Sequence, residues 1–288
     1  MSGLPSGYTQ LEYIESSGKQ WINTGFNPKS TTRIKVSAKF LGGATTSALF
    51  GARGTASGTD PKSFTFLVVS QKPRSDYFGS SKTGAHTVST SRVEIDWNKN
   101  VCSIDSDTIT HTATSAVSNQ ALYIFAVNTA GSATLPASMQ LYSCAIYDNG
   151  TLVRDFVSCK NASGAVGLYD TVEGQFYAND GTGTFTAGPE IIPDPPAAPT
   201  GLQTVLAVVL QWAASANADR YDVYRDGAKL GSTETTQYVD TTPEVNQTYV
   251  YTVKAVNGGG ESAGTSITVY TKSGYFEYKP LIESANFP

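Results

Sequence analysis

The residues that first invite a chemical reading are Glu94 and Asp96, two apart in the segment VEIDWNKN. Alternation along a strand puts both carboxylates on one face. Two acids flanking a glycosidic bond at roughly 5 Å would supply the nucleophile and the acid/base of a retaining glycosidase. The segment also reads as an exposed hairpin about Asn98-Lys99, and no catalysis is expected from it. Asp105-Ser106-Asp107 offers two further acids in a turn, the kind of oxygen donor that calcium takes in numbers. Two acids without ligands from another loop do not complete a cation site, so no metal is expected. Cys102, Cys144 and Cys159 are odd in number and lack metal-ligand spacing, against a disulfide framework or a zinc site. Cys144 and Cys159 read as small apolar strand residues. His86, after a glycine turn, and His111, in a threonine-rich strand, read as ordinary surface residues. There is no Ser-His-Asp order, phosphate-binding loop or dinucleotide fingerprint, and no cofactor is expected.

Binding chemistry is better represented. A sugar is held on a shallow face by aromatic platforms and planar hydrogen-bonding groups. Arg53, Arg74, Asp76, Tyr77, Trp97 and Asn128 have suitable chemistry and lie on or beside expected central strands, which makes them the candidate ligand contacts. Core packing competes for the aromatics among them.

The elements that must position these groups are strands. In RIKVSAKF, Ile34, Val36, Ala38 and Phe40 alternate with Arg33, Lys35, Ser37 and Lys39, so the apolar set is expected to face inward. ALFGAR (48–53), FTFLVVS (64–70) and 92–97 with 100–104 read as further strands, and 120–128 as one central strand. In QLYSCAIY, Tyr142, Cys144 and Ile146 fall on one side and Leu141, Ser143, Ala145 and Tyr147 on the other. Asp148-Asn149-Gly150 supplies the positive-φ chemistry of a tight hairpin, and Arg154 and Asp155 on the returning strand point to opposite faces. No helical periodicity exceeds a turn or two. Short strands with glycine turns at this spacing indicate an all-β sandwich or jelly roll.

Composition narrows the partners. The chain has 288 residues, 20 basic and 24 acidic side chains and a net charge of −4. No basic stripe is present to neutralise phosphates, so nucleic acid is not an expected partner. The longest apolar run, Val205 to Leu210, is too short to span a bilayer. The opening MSGLPSGYTQ has neither the basic region nor the apolar core of a secretory leader.

The run IYDNGTLVRDFVSC, then GLYD, QFYAN and GTGTFTAGP, together with the opening QLEYIESSGKQWINTGFNP, resembles the concanavalin A-like (laminin-G-like) jelly-roll domains of phage structural and gut-bacterial surface proteins. The resemblance covers roughly residues 4 to 190. It implies the fold and leaves the ligand open, since that fold hosts lectins, glycosidases and structural modules. Laminarinase-type glucanases of the same fold carry Glu-x-Asp-x-x-Glu; Glu94-Ile95-Asp96 matches its first half, but Lys99 stands where the second glutamate belongs. After PEIIPDPPAAP (189–199), the stretch to Lys272 resembles a fibronectin type III domain. There Trp212 takes the buried second-strand position, Tyr221, Val223 and Tyr224 the third strand, Arg225-Asp226-Gly227 its turn and Tyr249 the tyrosine corner.

The expected organisation is therefore a jelly roll (1–188), a proline-rich linker (189–198), a fibronectin type III sandwich (199–272) and a tail (273–288). In the tail, Tyr275, Phe276, Tyr278, Leu281, Ile282 and Phe287 are expected to dock into a larger assembly. The leading expectation is a non-enzymatic, multi-copy phage virion protein: a decoration protein, head fibre or tail adhesin. It would join other virion proteins through its C-terminal end and present the jelly roll to cell-surface or mucus glycans. The alternative is a bacterial cell-surface carbohydrate-binding protein.

Overall fold

The computed structural model of the chain describes residues 4–42, 46–205 and 209–272. The tail with Tyr275, Phe276, Tyr278, Leu281, Ile282 and Phe287 lies outside the described residues. Every regular element among the described residues is a strand, and the chain divides into two units between Ile191 and Ile192.

The first unit is a jelly-roll sandwich of an eleven-stranded and an eight-stranded sheet, counted over the described residues. In the larger sheet Thr32–Phe40 lies between Arg92–Asn98 and Ser138–Asp148, and Thr151–Lys160 follows on the far side. In the smaller, Val127–Thr129, Thr46–Arg53, Phe64–Val69, Lys72–Tyr77 and Ser80–Thr83 lie side by side. Ile22–Asn23 and Tyr123–Ile124 extend that sheet at one edge. Ile34, Val36, Ala38 and Phe40 all face the core, as their alternation requires. Between the sheets Trp97 stacks on Phe64 with centroids 4.1 Å apart, ringed by Phe50, Tyr77 and His111.

Three local expectations need correction. The alternation at 140–147 is broken by a β-bulge between Leu141 and Ser143, so Leu141 faces the core together with Cys144 and Ile146. Tyr142, moved off that face, packs on Tyr13 at 5.2 Å and under the Arg92 guanidinium at 4.3 Å. The 120–128 stretch is not one strand: Phe125 turns the chain with φ 69°, separating Tyr123–Ile124 from Val127–Thr129. His111 is buried, not superficial; its ring sits between the Ser75 and Ser80 hydroxyls at 2.8 and 2.9 Å. Cys102, Cys144 and Cys159 are buried free thiols, and burial pushes the Cys159 thiol up to about 12. At Asn149-Gly150 the turn takes φ 48° and 87°, the left-handed pair that a tight hairpin needs.

Counted over the described residues, the second unit is a fibronectin type III-like sandwich of a three-stranded sheet (Thr200–Val205, Val209–Ala213, Gln237–Val239) and a five-stranded one. Its core holds Leu210, Trp212, Tyr221, Val223, Tyr251, Val253, Ala255 and Val269. Trp212 meets Tyr221 edge-on at 5.3 Å. The Tyr249 hydroxyl accepts a hydrogen bond from the Glu244 amide at 3.0 Å, five residues upstream.

The proline-rich stretch is bonded at its start within the first unit and later within the second. The Pro189 carbonyl accepts from the Glu12 amide and the Ile191 amide donates to the Gln10 carbonyl, within the first unit. The Asp194 carbonyl accepts from the Asn257 side chain at 2.8 Å and the Pro199 carbonyl from Thr265 Oγ1 at 2.5 Å, within the second.

Candidate functional site

Phe50, Phe64, Phe66 and Tyr77 line the core, so the alternate positions of their strands face outward from the eight-stranded sheet. Direct register puts Asn23, Tyr123, Gly51, Thr65, Asp76 and Ser81 in one row across that outer face. The middle is closed: a Cβ on Gly51 would lie 2.9 Å from the methyls of both Thr65 and Val127. The two ends carry different chemistry.

One end is aromatic. Trp21, two residues before Asn23, stacks on the Tyr123 ring at 4.3 Å and 21°. The loop 179–183 is fastened alongside: the Trp21 amide donates to Asn179 Oδ1 at 3.1 Å, the Asn23 amide to Asp180 Oδ2 at 2.8 Å, and the Asp180 amide to the Trp21 carbonyl at 2.9 Å. Gly181 is required there, because a Cβ would come within 2.2 Å of the Lys19 carbonyl and 2.9 Å of the indole. Trp21 keeps part of its surface exposed, with the exposed side chains of Asn23 and Asp180 at its rim. Burial, and then the Asp180 charge, raise the Tyr123 phenol above its ordinary range.

The other end is charged. Arg74 Nε donates to Asp76 Oδ1 at 3.0 Å and to Ser81 Oγ at 2.9 Å, while Thr65 Oγ1 donates to Asp76 Oδ2 at 2.8 Å. Asp76 is fully buried and Arg74 keeps about a third of its side chain in solvent. Gly58, in the loop after Arg53, lies directly over the guanidinium; a Cβ there would stand 1.9 Å from Nη2. Asp60 holds that loop in shape by accepting from the Thr55 and Lys62 amides at 2.6 and 2.9 Å. Arg53 shares the face and donates to Thr129 Oγ1 at 2.9 Å. Burial pulls its guanidinium below the usual range, against the attraction of Asp76 and Asp60.

Of the candidates read from the sequence, Arg53, Arg74 and Asp76 come together on this face. Tyr77 and Trp97 do not: both point into the core, the phenol donating to the Ser30 carbonyl at 3.2 Å and the indole to the Lys99 carbonyl at 2.8 Å. Their rings have no free face, so neither is a platform. Asn128 is buried as well, donating to the Ala121 carbonyl at 2.9 Å and accepting from the Gly131 amide at 2.8 Å, which fixes the turn beside it. Trp21, Asn23, Tyr123 and Asp180 were missed. The signal was the WIN triplet, whose first and third residues share a face, together with the Asn179-Asp180-Gly181 turn.

Glu94 and Asp96 lie on the outer face of the other sheet. Glu94 accepts from Ser37 Oγ at 2.5 Å and from Arg92, while Arg33 binds Asp96 through both Nε and Nη2 at 2.8 and 2.5 Å. That hydrogen-bonded pairing holds the Asp96 carboxyl below the usual range, in the ionised form. Asp105 and Asp107 serve the loop beside them: Asp105 Oδ1 accepts from the Glu94 amide and Asp107 Oδ2 from the His86 amide, at 2.9 and 2.8 Å.

No family model matches this chain. It is 40% identical over 101 residues to a poly(3-hydroxybutyrate) depolymerase of Ralstonia pickettii, covering 33% of this chain and 19% of that protein. It is 37% identical over 107 residues to chitinase Chi52 of Paenibacillus xylanexedens, covering 34% of this chain and 20% of that protein. The chain thus spans a fifth or less of the length of these relatives. Among solved structures, the CBM40 of the Ruminococcus gnavus IT-sialidase bound to α2,3 sialyllactose is 13% identical, with a TM-score of 0.38 over 48% of this chain and 90% of that one. That likeness is too slight to carry a functional argument.

Proposed function

We propose that this chain is a non-catalytic carbohydrate-binding protein that works at the bacterial cell surface or outside the cell. It holds an oligosaccharide on the outer face of the eight-stranded sheet. The observation that carries the reading is the Trp21–Tyr123 stack with exposed Asn23 and Asp180 at its rim. An indole offers the C–H face of a pyranose an apolar surface, and a neighbouring amide and carboxylate take the equatorial hydroxyls. Arg74, oriented by Asp76 and Ser81, gives a second contact with N–H groups left to donate. Asn23 and Arg74 lie on strands four spacings apart, about 19 Å, so only a ligand of several sugar units reaches both.

The relatives support the setting. Chitinase Chi52 is named for a polysaccharide substrate, and the share of it matched here is of accessory-domain size. This favours the cell-surface reading over the virion one. Glu94 and Asp96, the acidic pair that matched half of a glucanase motif, are engaged with Ser37, Arg92 and Arg33 on the opposite sheet, which speaks against their serving as a catalytic pair. A glycan array with the full chain, followed by calorimetry on the best ligand, tests the reading. Trp21→Ala is expected to weaken binding about fivefold or more and Arg74→Ala about threefold to tenfold, each hydrogen bond or stacking contact being worth about 1 kcal/mol. An array without hits, or a Trp21→Ala protein that binds like the parent, overturns it.

A further inference from the structure

The second unit carries a row of glutamines that its core does not need. Gln203, Gln211 and Gln237 are direct register partners on three adjacent strands. Gln203 and Gln237 are exposed and Gln211 half-buried. Their one mutual hydrogen bond, from Gln211 Nε2 to Gln237 Oε1, is long at 3.5 Å. A primary amide has two donors and two acceptor lone pairs, so most of the bonding capacity of the row is directed at solvent. Above it lies a hollow of about 390 Å³ lined by Gly201, Gln203, Gln211, Trp212, Ala213, Thr236 and Gln237, with no charged group among them. Gly201, at φ 64° beside a register shift between Thr200 and Gln203, and the short side chain of Ala213 leave one end shallow.

The next row on the same face is apolar: Val205, Val209 and Val239 are again direct partners. Val209, in the middle of that row, is buried at 8% exposed, whereas Val205 is 42% exposed, so amides beside the Val205 end, over about 10 Å of sheet width, make a strip with one hydrogen-bonding edge and an apolar contact at one end. A β-linked sugar chain has the same two-sidedness, with hydroxyls or acetamido groups along its edges and C–H groups on its ring faces. An extended peptide would pair with backbone at a sheet edge, whereas these amides stand off the sheet face.

We infer that the glutamine row of the second unit is a separate binding strip for an uncharged polysaccharide chain carrying hydroxyl or acetamido groups. This rests on the carbohydrate-binding reading for its ligand class but uses none of the first unit's residues. Two contacts on one tethered chain raise avidity on a repeating polymer without strong binding at either.

The test uses the full chain, nitrogen-labelled, titrated with cellohexaose and with chitohexaose. The side-chain amide resonances of Gln203, Gln211 and Gln237 are expected to shift with at least one of them; three resonances unmoved by both overturn the inference. In parallel, Gln203→Ala/Gln211→Ala/Gln237→Ala is made on the Trp21→Ala background and compared with Trp21→Ala alone on insoluble cellulose and chitin. The residual retention is expected to fall about tenfold, as losing several weak hydrogen bonds requires; unchanged retention overturns the strip. A Trp21→Ala protein that retains full binding while the glutamine variant loses it would sink the first-unit site and leave the strip standing.

Discussion

Replacing Trp21 by alanine separates the two things its ring does, and both are measurable. A fully buried tryptophan costs about 3–5 kcal/mol on truncation, and Trp21 is only half-buried, so about 2 kcal/mol is expected. Of this, the stack on Tyr123 accounts for about 0.5–1.5 kcal/mol, its 4.3 Å spacing and 21° tilt being close to parallel. The second effect falls on Tyr123, which is only 5% exposed and whose phenol is raised by burial first and by Asp180 next. Removing the indole lets water reach that ring, so its titration should move down towards the ordinary tyrosine range near 10. Urea denaturation of the full chain gives the first number. Since the chain has 16 tyrosines, the second needs ring-labelled tyrosine NMR, with Tyr123→Phe to assign the signal. Asp180→Asn should produce a smaller downward move and little loss of stability. A Trp21→Ala protein within about 0.5 kcal/mol of the parent, its Tyr123 titration unchanged, would show that the ring contributes neither packing nor shielding.

Gly58→Ala should cost about 1–2 kcal/mol, because its Cβ would stand 1.9 Å from Arg74 Nη2 and 2.9 Å from Oδ1 of the buried Asp76, and by displacing the guanidinium it should weaken oligosaccharide binding about threefold or more. His111 titrates at about 4 in the fold, depressed by burial first and by Lys82 next. The neutral ring's stabilisation is therefore complete above the unfolded value of about 6.5 and is lost as pH falls through 4, about 3 kcal/mol in all and about 2 by pH 5. Urea midpoints of the parent and His111→Gln between pH 7 and 5 check this; equal slopes for the two proteins would remove His111 as the cause. In the second unit Asp240, 3% exposed, accepts from Arg225 Nη1 at 2.7 Å, Tyr251 OH at 2.8 Å, and the Thr242 amide and hydroxyl at 3.0 and 2.7 Å. Burial alone would raise its carboxyl, but Thr242, Tyr251 and Arg225 outweigh burial and lower it. Asp240→Asn should cost about 3 kcal/mol at neutral pH in a denaturation curve. That difference should hold above about pH 4 and vanish only as pH falls through the depressed value.

The fold was open to reading because two-residue periodicity and glycine turns are written locally. Ile34, Val36, Ala38 and Phe40 need no distant information to face inward, and Asn149-Gly150 needs none to turn. Phase is where local reading stopped. One extra residue at the bulge before Ser143 carries Leu141 onto the face of Cys144 and Ile146, and the left-handed Phe125 ends a strand that hydrophobicity alone would continue. Neither residue is a glycine or proline, the types that usually mark such breaks.

The site was less legible for a related reason. Trp97 lies inside a strand between Asp96 and Asn98 and Trp21 just before one, and only the pairing of strands distant in sequence decides which ring is covered. Trp97 pairs across Cys102 and Ile34 into the sandwich interior, whereas Trp21 sits at the sheet margin beside Tyr123, about a hundred residues further along the chain. The same long-range register aligned Gln203, Gln211 and Gln237, which are unremarkable polar residues when read singly. A face built from one residue per strand has no spacing along the chain by which to be recognised. Motifs that betray enzymes usually lie within one loop or one strand, and the Glu94–Asp96 pair was conspicuous for that reason alone. Its carboxylates are engaged with Ser37 and Arg33, so what drew the eye in the sequence and what the fold leaves exposed are different sets of residues.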